Sequence, residues 1–203
     1  MFNRTLMNRV AAVLAAAIIA GTAISVSAQT TGNIPDALTV IHSRKSVRTY
    51  LDKPVSKEQL ETLMRAGMAA PTAMDKRPWA FVAVTERAML DTLSFSSRGT
   101  RQLKGAAAAI VVCGDTRKGL KSDVWVQDCS AASENILLAA EAIGLGAVWC
   151  GIYLNPEPTA YVKRVLGLPP EVIPLKIISI GWPTGAEKPK NKWDPSNIHW
   201  NRW

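Results

Sequence analysis

Arg44-Lys45-Ser46-Val47-Arg48 sets three cations and a hydroxyl within five residues. The run follows the short apolar segment Ala37-Leu38-Thr39-Val40-Ile41 and precedes Thr49-Tyr50-Leu51. If it leaves a helix end in extended form, Arg44, Ser46 and Arg48 project to one side. Two guanidiniums and a hydroxyl converging there make an anion site, because the planar guanidinium fork binds phosphate bidentately. Taken alone, five such residues favour a solvated basic turn. A cation cluster equally serves nucleic acid or an acidic surface. The rest of the chain has to decide.

Before the run stands a segment that does not belong to the fold. Arg4 and Arg9 give a positive start, Val10 to Ile24 is apolar, and Val26-Ser27-Ala28 has the small residues of a cleavage site. The apolar run is short for a span of about 20 residues, so a cleaved signal peptide over 1–28 is expected, with no stable membrane anchor afterwards. The chain has no twin-Arg pair before that run, so export in the unfolded state, to the periplasm, is the expectation. Cleavage after Ala28 leaves 29–203, one domain with enough length for a core, and lowers the formal charge from +8 to +6. The remaining cations are spread out with no long Lys/Arg block, which argues against a nucleic-acid groove.

Behind Asp36 a short helix runs to about His42, and Ser56-Lys57-Glu58-Gln59 opens a capping box. Leu60, Leu63, Met64 and Met68 then predict an amphipathic helix over 57–68. Strands are expected at 79–84, 106–113, 147–153 and 174–182. Helices are expected at 86–93, 123–143 and from Asn155-Pro156 to about Leu166, where Gly167 stops the last. Residues 94–104 read as a mobile loop or frayed helix, and 116–122 as a polar connection. The 123–143 helix is apolar nearly all round, which calls for a large core or a second subunit. Residues 183–203 form an irregular tail. Its Trp193, Trp200 and Trp203 predict that it wraps over the body or over a partner. The sum is an α+β domain. A helix leads the order and no Gly-x-Gly-x-x-Gly follows the first strand, so a Rossmann dinucleotide site is excluded.

Cys113, Cys129 and Cys150 are an odd count in apolar surroundings, read as buried free thiols. With only His42 and His199 besides, no zinc site is expected. There is no Ser/His/Asp set, paired-carboxylate motif or P-loop.

Four separated pieces nevertheless line up. They are Arg44-x-Ser46-x-Arg48 with Tyr50; Ala69-Ala70-Pro71-Thr72-Ala73-Met74-Asp75-Lys76-Arg77-Pro78-Trp79; Gly144-Leu145-Gly146-Ala147-Val148-Trp149-Cys150-Gly151; and Ile178-Ser179-Ile180-Gly181-Trp182-Pro183 followed by Pro189-Lys190-Asn191-Lys192. Their order and wording, over roughly residues 36–192, resemble the nitroreductase family of FMN-dependent oxidoreductases. No single piece is specific; the four in sequence are.

The resemblance implies a central, mostly antiparallel sheet flanked by helices, in a domain-exchanged homodimer. It implies FMN, with Arg44, Lys45, Ser46 and Arg48 on the phosphate and ribityl chain, and Lys190 and Lys192 closing from the tail. Pro71, Thr72, Ala73 and Asp75 would reach the flavin of the second subunit. Trp149, Cys150 and Gly151 would lie beside flavin N5, where a backbone N–H tunes hydride affinity and a glycine leaves the face open. Cys150 is read as contributing backbone only, since no base or second thiol stands near it in sequence. Two positions depart from the family pattern: Asp75 replaces an Asn and Arg77 a Gln. An acid beside the ring would oppose its anionic reduced form. The implied activity is transfer of reducing equivalents to a small electron-poor acceptor, nitroaromatic or quinone. Alternatives are reductive dehalogenation or flavin breakdown on the same fold, or flavin binding without turnover. Export argues against freely diffusing NAD(P)H as the donor.

Overall fold

The strand Val172–Pro183 (β5) runs through the middle of the sheet and meets three others along its length. The computed structural model describes residues 35–118, 123–153 and 155–203; the signal segment expected at 1–28 and part of the 116–122 connection lie outside them. In chain order the elements are α1 Ala37–Ser43, β1 Tyr50–Leu51, α2 Lys57–Met68, β2 Trp79–Val84, α3 Arg87–Leu93, β3 Ala108–Asp115, α4 Val124–Ala142, β4 Gly146–Gly151, α5 Pro156–Leu166 and β5. Single 3-10 segments stand at 73–75, 98–104 and 195–197.

Every strand ladder is antiparallel, as expected. β2 pairs β3, β3 pairs β5, and β4 lies along the other edge of β5, with β1 at its end. Alternation splits the core in two. Ile110, Val112, Ile178 and Ile180 face Leu60 and Leu63 of α2 and Ile136 of α4. Ala109, Val111, Cys113 and Ile177 face Leu90 and Leu93 of α3 and Val162 of α5.

Local chemistry accounts for the element ends. Asp36 caps α1 by accepting from the amides of Leu38 and Thr39. Ser56 and Gln59 exchange both capping-box hydrogen bonds at α2. Gly167 closes α5 with φ 61°. On α4, Cys129, Ala132, Ser133, Ile136, Leu137 and Ala140 are buried, and so are Trp125 and Asp128, while Val126 and Ile143 on the same apolar side are half-buried.

The structure departs from expectation at several places. β3 runs through Gly114 and Asp115 instead of ending there, because its ladder continues to Ile173 and Val172. β5 begins two residues before Pro174. The proline, which cannot donate to a ladder, sits where the register slips between Val112 and Cys113. Of the two forms expected for 94–104, loop or frayed helix, the structure takes the helical one over 98–104, where Ser97 and Thr100 cap a 3-10 segment. The tail meets the body of its own chain near Glu187 but its far end does not cover it. Trp193, Trp200 and Trp203 are all exposed.

Candidate functional site

Residues 44–48 leave the end of α1 and lie along β4 as an extra, parallel edge. The Val47 amide donates to the Ala147 carbonyl at 3.0 Å, and Ser46 bridges Ala147. Two glycines make this approach possible. A Cβ on Gly146 would stand 2.6 Å from the Val47 side chain, and one on Gly181 would stand 2.7 Å from the Tyr50 ring. Tyr50 fixes the end of the segment by donating to the Val47 carbonyl at 2.7 Å, with the Ser179 hydroxyl 2.8 Å away.

Above this edge is a cavity of about 310 Å³, lined by Arg44, Lys45, Ser46 and Arg48 from the run and by Glu187, Lys188, Lys190 and Lys192 from the tail. Cations from opposite ends of the chain therefore converge. Two of them are partly committed: Arg44 Nε lies 3.0 Å from Glu134 and Lys45 Nζ 2.8 Å from Glu141, both on α4. Among the described residues no carboxylate pairs with the side chains of Arg48, Lys188, Lys190 or Lys192.

Glu187 is the acid of this cavity, and nothing in the Lys-rich tail marks it out in the sequence. Its Oε1 accepts from the amides of Arg48 and Thr49 at 2.7 and 3.0 Å, and from the Thr49 hydroxyl at 2.9 Å. Burial acts to raise its pKa, but these donors outweigh that and hold the carboxyl below its ordinary range. Its Oε2 is buried with no partner.

β4 carries the second part of the site. In an antiparallel strand, successive residues aim their amides at opposite neighbours. Ile152 donates inward to Leu175 at 3.1 Å, and Ala147 accepts outward from Val47. Gly151 therefore turns its N–H to the Val47 edge. A Cβ at Gly151 would meet nothing within 4 Å, so the backbone borders open space. Trp149 is about one-third exposed (36%), with the Lys176 amine 3.0 Å from its ring centroid. Cys150 points to the opposite core, where its sulfur accepts from Gln102 Nε2 at 2.8 Å. Burial pushes its thiol up to about 12, so only its backbone faces the site. The free, buried state of all three cysteines matches expectation.

Residues 71–75 do not line the cavity of their own chain. Asp128 on α4 holds this turn by accepting from the Ala73 amide at 2.9 Å. Met74, Asp75 and Arg77 have φ of 51°, 53° and 48°, a run of left-handed non-glycine residues that a supporting structure has to maintain. Arg77 clamps Asp75 with two bonds of 2.6 Å each. Hydrogen bonds from Arg77 hold the Asp75 carboxyl below its usual range, so the acid at 75 is charge-paired within its own turn. The two departures from the family pattern compensate one another.

The reading of the sequence missed Asp128, Lys176 and Glu187. Lys176 had a signal: it is a lone charge inside Ile173-Pro174-Leu175-Lys176-Ile177-Ile178.

Comparisons with known proteins identify the family and the fold. The model described as Nitroreductase family matches residues 41–120 and 96–182. A protein of Archaeoglobus fulgidus with the provisional name NADH dehydrogenase/NAD(P)H nitroreductase is 38% identical over 172 residues, covering 83% of this chain and 99% of the relative. A crystal structure from Parabacteroides distasonis under the same provisional name is 50% identical, with a TM-score of 0.79 over 82% of this chain and 98% of the other. An FMN-dependent nitroreductase of Clostridium difficile is 32% identical, with a TM-score of 0.76 over 82% and 99%.

Proposed function

The chain belongs to the nitroreductase family, and from that premise we propose an FMN-dependent oxidoreductase that passes reducing equivalents to a small electron-poor acceptor, nitroaromatic or quinone. The observation that carries the reading is the cavity where Arg48, Lys188, Lys190 and Lys192 converge from both ends of the chain. The donor set suits a flavin mononucleotide. Unpaired cations match a phosphate, and the orphaned Glu187 Oε2 is an acceptor for a hydroxyl, which a ribityl chain supplies. Open space at Gly151 leaves room for a flat ring.

Bound FMN supplies hydride-transfer chemistry at N5. The chain's own residues bind and orient. Arg44, Lys45, Ser46 and Arg48 would hold the phosphate end, with Lys190 and Lys192 from the tail. The outward amide of Gly151 would be available to N5, and Trp149 and the backbone of Cys150 would stand beside the ring. Pro71, Thr72, Ala73 and Asp75 complete the site of a second copy in a homodimer. The strained turn at 74–77 and its anchor on Asp128 support that role.

The names of relatives favour NAD(P)H as donor, against the expectation drawn from export. Export itself, by removal of 1–28, is part of the proposal and rests on the segment's composition alone. A mature N-terminus at Gln29 in a periplasmic extract would support it; an uncleaved chain in the cytoplasm would end it.

The deciding experiment is an absorption spectrum and cofactor extraction on the purified protein. A flavin spectrum, and tighter binding of FMN than of riboflavin, is expected from a site built on phosphate contacts. A colourless protein indifferent to added FMN would sink the reading.

A further inference from the structure

Lys176 is the one charged residue of β5, and it is 3% exposed. The register sets it opposite Gly151 on β4. Trp149, two residues back along β4, pairs with Ile178, so Trp149 and Lys176 share the α4 side of the sheet. The Lys176 amine lies 3.0 Å from the Trp149 ring centroid and 3.0 Å from Ser130 Oγ. Among the described residues no carboxylate pairs with it.

A buried cation without a counter-charge is costly. The ring face of Trp149 and one hydroxyl offset only part of that cost. The imbalance shows in the amine itself, which burial pushes down to about 8. An apolar side chain would fill the same strand position with no such cost, as Ile178 and Ile180 do on the same side. An anion near the amine would offset that cost, and the residue paired with Lys176 across the ladder is Gly151, whose amide faces the open edge.

We infer that Lys176 supplies the counter-charge for the reduced cofactor ring and thereby sets the cofactor's redox potential. This rests on the flavin reading above. A hydride from a nicotinamide donor brings two electrons and one proton. The ring therefore gains one negative charge, and the donor leaves with one fewer. No proton leaves Lys176 in this step. Its ammonium favours the charged product over the neutral reactant, so it acts as an electrostatic positioning residue. The α4 hydroxyl of Ser130 and the Trp149 ring keep it in place.

The test is a spectroelectrochemical titration of FMN-loaded wild type, Lys176→Met and Lys176→Gln, with folding checked by circular dichroism. Both variants should lose about tenfold in the ratio of reduced to oxidised FMN affinity. For a two-electron couple that lowers the midpoint by about 30 mV. Affinity for oxidised FMN should change much less, and Lys176→Arg, which keeps the charge, should recover part of the shift. A merely structural lysine would not move the potential in this way. Unchanged potential in a folded, FMN-loaded neutral variant overturns this inference alone. A wild type that takes up no FMN overturns the flavin reading, and this inference with it.

Discussion

Val47 and Ala147, one hundred positions apart, are joined by a single backbone hydrogen bond of 3.0 Å, and that bond ties the cation-rich run to the strand that carries Gly151. In the proposed reading, the residues for the phosphate and those for the ring would be two parts of one sheet edge.

Arg48 is the cleanest probe of that edge. Its guanidinium makes only a long 3.4 Å contact to the Ser46 carbonyl, whereas Arg44 also holds Glu134. Arg48→Ala should weaken FMN binding by about 1.5–3 kcal/mol, the range for a hydrogen bond to a charged group, and leave thermal unfolding of the apo-protein unchanged. Fluorescence titration of FMN measures the first and calorimetry the second. Equal affinity for FMN in variant and wild type would remove the phosphate assignment.

The Asp75–Arg77 clamp makes a sign-reversing prediction. In the proposed dimer, Arg77→Gln would free the Asp75 carboxylate near the second subunit's ring and should lower FMN affinity. Asp75→Asn together with Arg77→Gln should restore it. Titrating the wild type, Arg77→Gln, Asp75→Asn and the double variant completes a double-mutant cycle. Additive effects would show that the clamp plays no part in binding.

These two sites differ in how far the sequence revealed them. The cations of 44–48 and Lys190 and Lys192 are legible as residue types, and the order of motifs says that they meet. The helices show in their periodicity and caps, as at Ser56-Gln59 and Gly167. The Asp75–Arg77 bond depends on three left-handed residues in four, a conformation with no local sequence signal when none is glycine. β1 has two residues, too few to show any alternation. The bulge beside Pro174 leaves Leu175 of β5 without a partner opposite the Val112–Cys113 step of β3, and a slip of pairing between two strands cannot be read from one strand alone.

Assembly is the third test. Leu38 and Ile41 on α1 and Met68 on α2 are more than half exposed, and an apolar groove joins α1 to Leu138, Ala139 and Ala142 of α4. A second copy would cover this surface. Light scattering should report a dimer, and Ile41→Glu should raise its dissociation constant at least severalfold, because a carboxylate would be buried at the interface. A monomer that still binds FMN would refute a shared site.

Buried ionisable groups make the last prediction, and two of them act in opposite directions with pH. Burial pushes the Cys113 thiol up to about 12. Below pH 9 it is protonated in folded and unfolded chains alike. Above 9 the unfolded chain ionises first, so the native state binds more protons and stability falls as pH rises toward 12. By pH 10 the loss is about 1 kcal/mol from this thiol. Cys113→Ala, whatever its stability at neutral pH, should lose that much less between pH 8 and pH 10. Lys176 has its folded pKa lowered to about 8, chiefly by burial. Between about 8 and 10.5 the native state sheds that proton first, the unfolded chain binds more, and stability rises with pH. Lys176→Met should therefore lose more stability than wild type over the same interval. Urea unfolding under reducing conditions, at fixed protein concentration and without FMN, measures both. Parallel pH profiles for all three proteins would mean that neither group is as buried in solution as its packing requires.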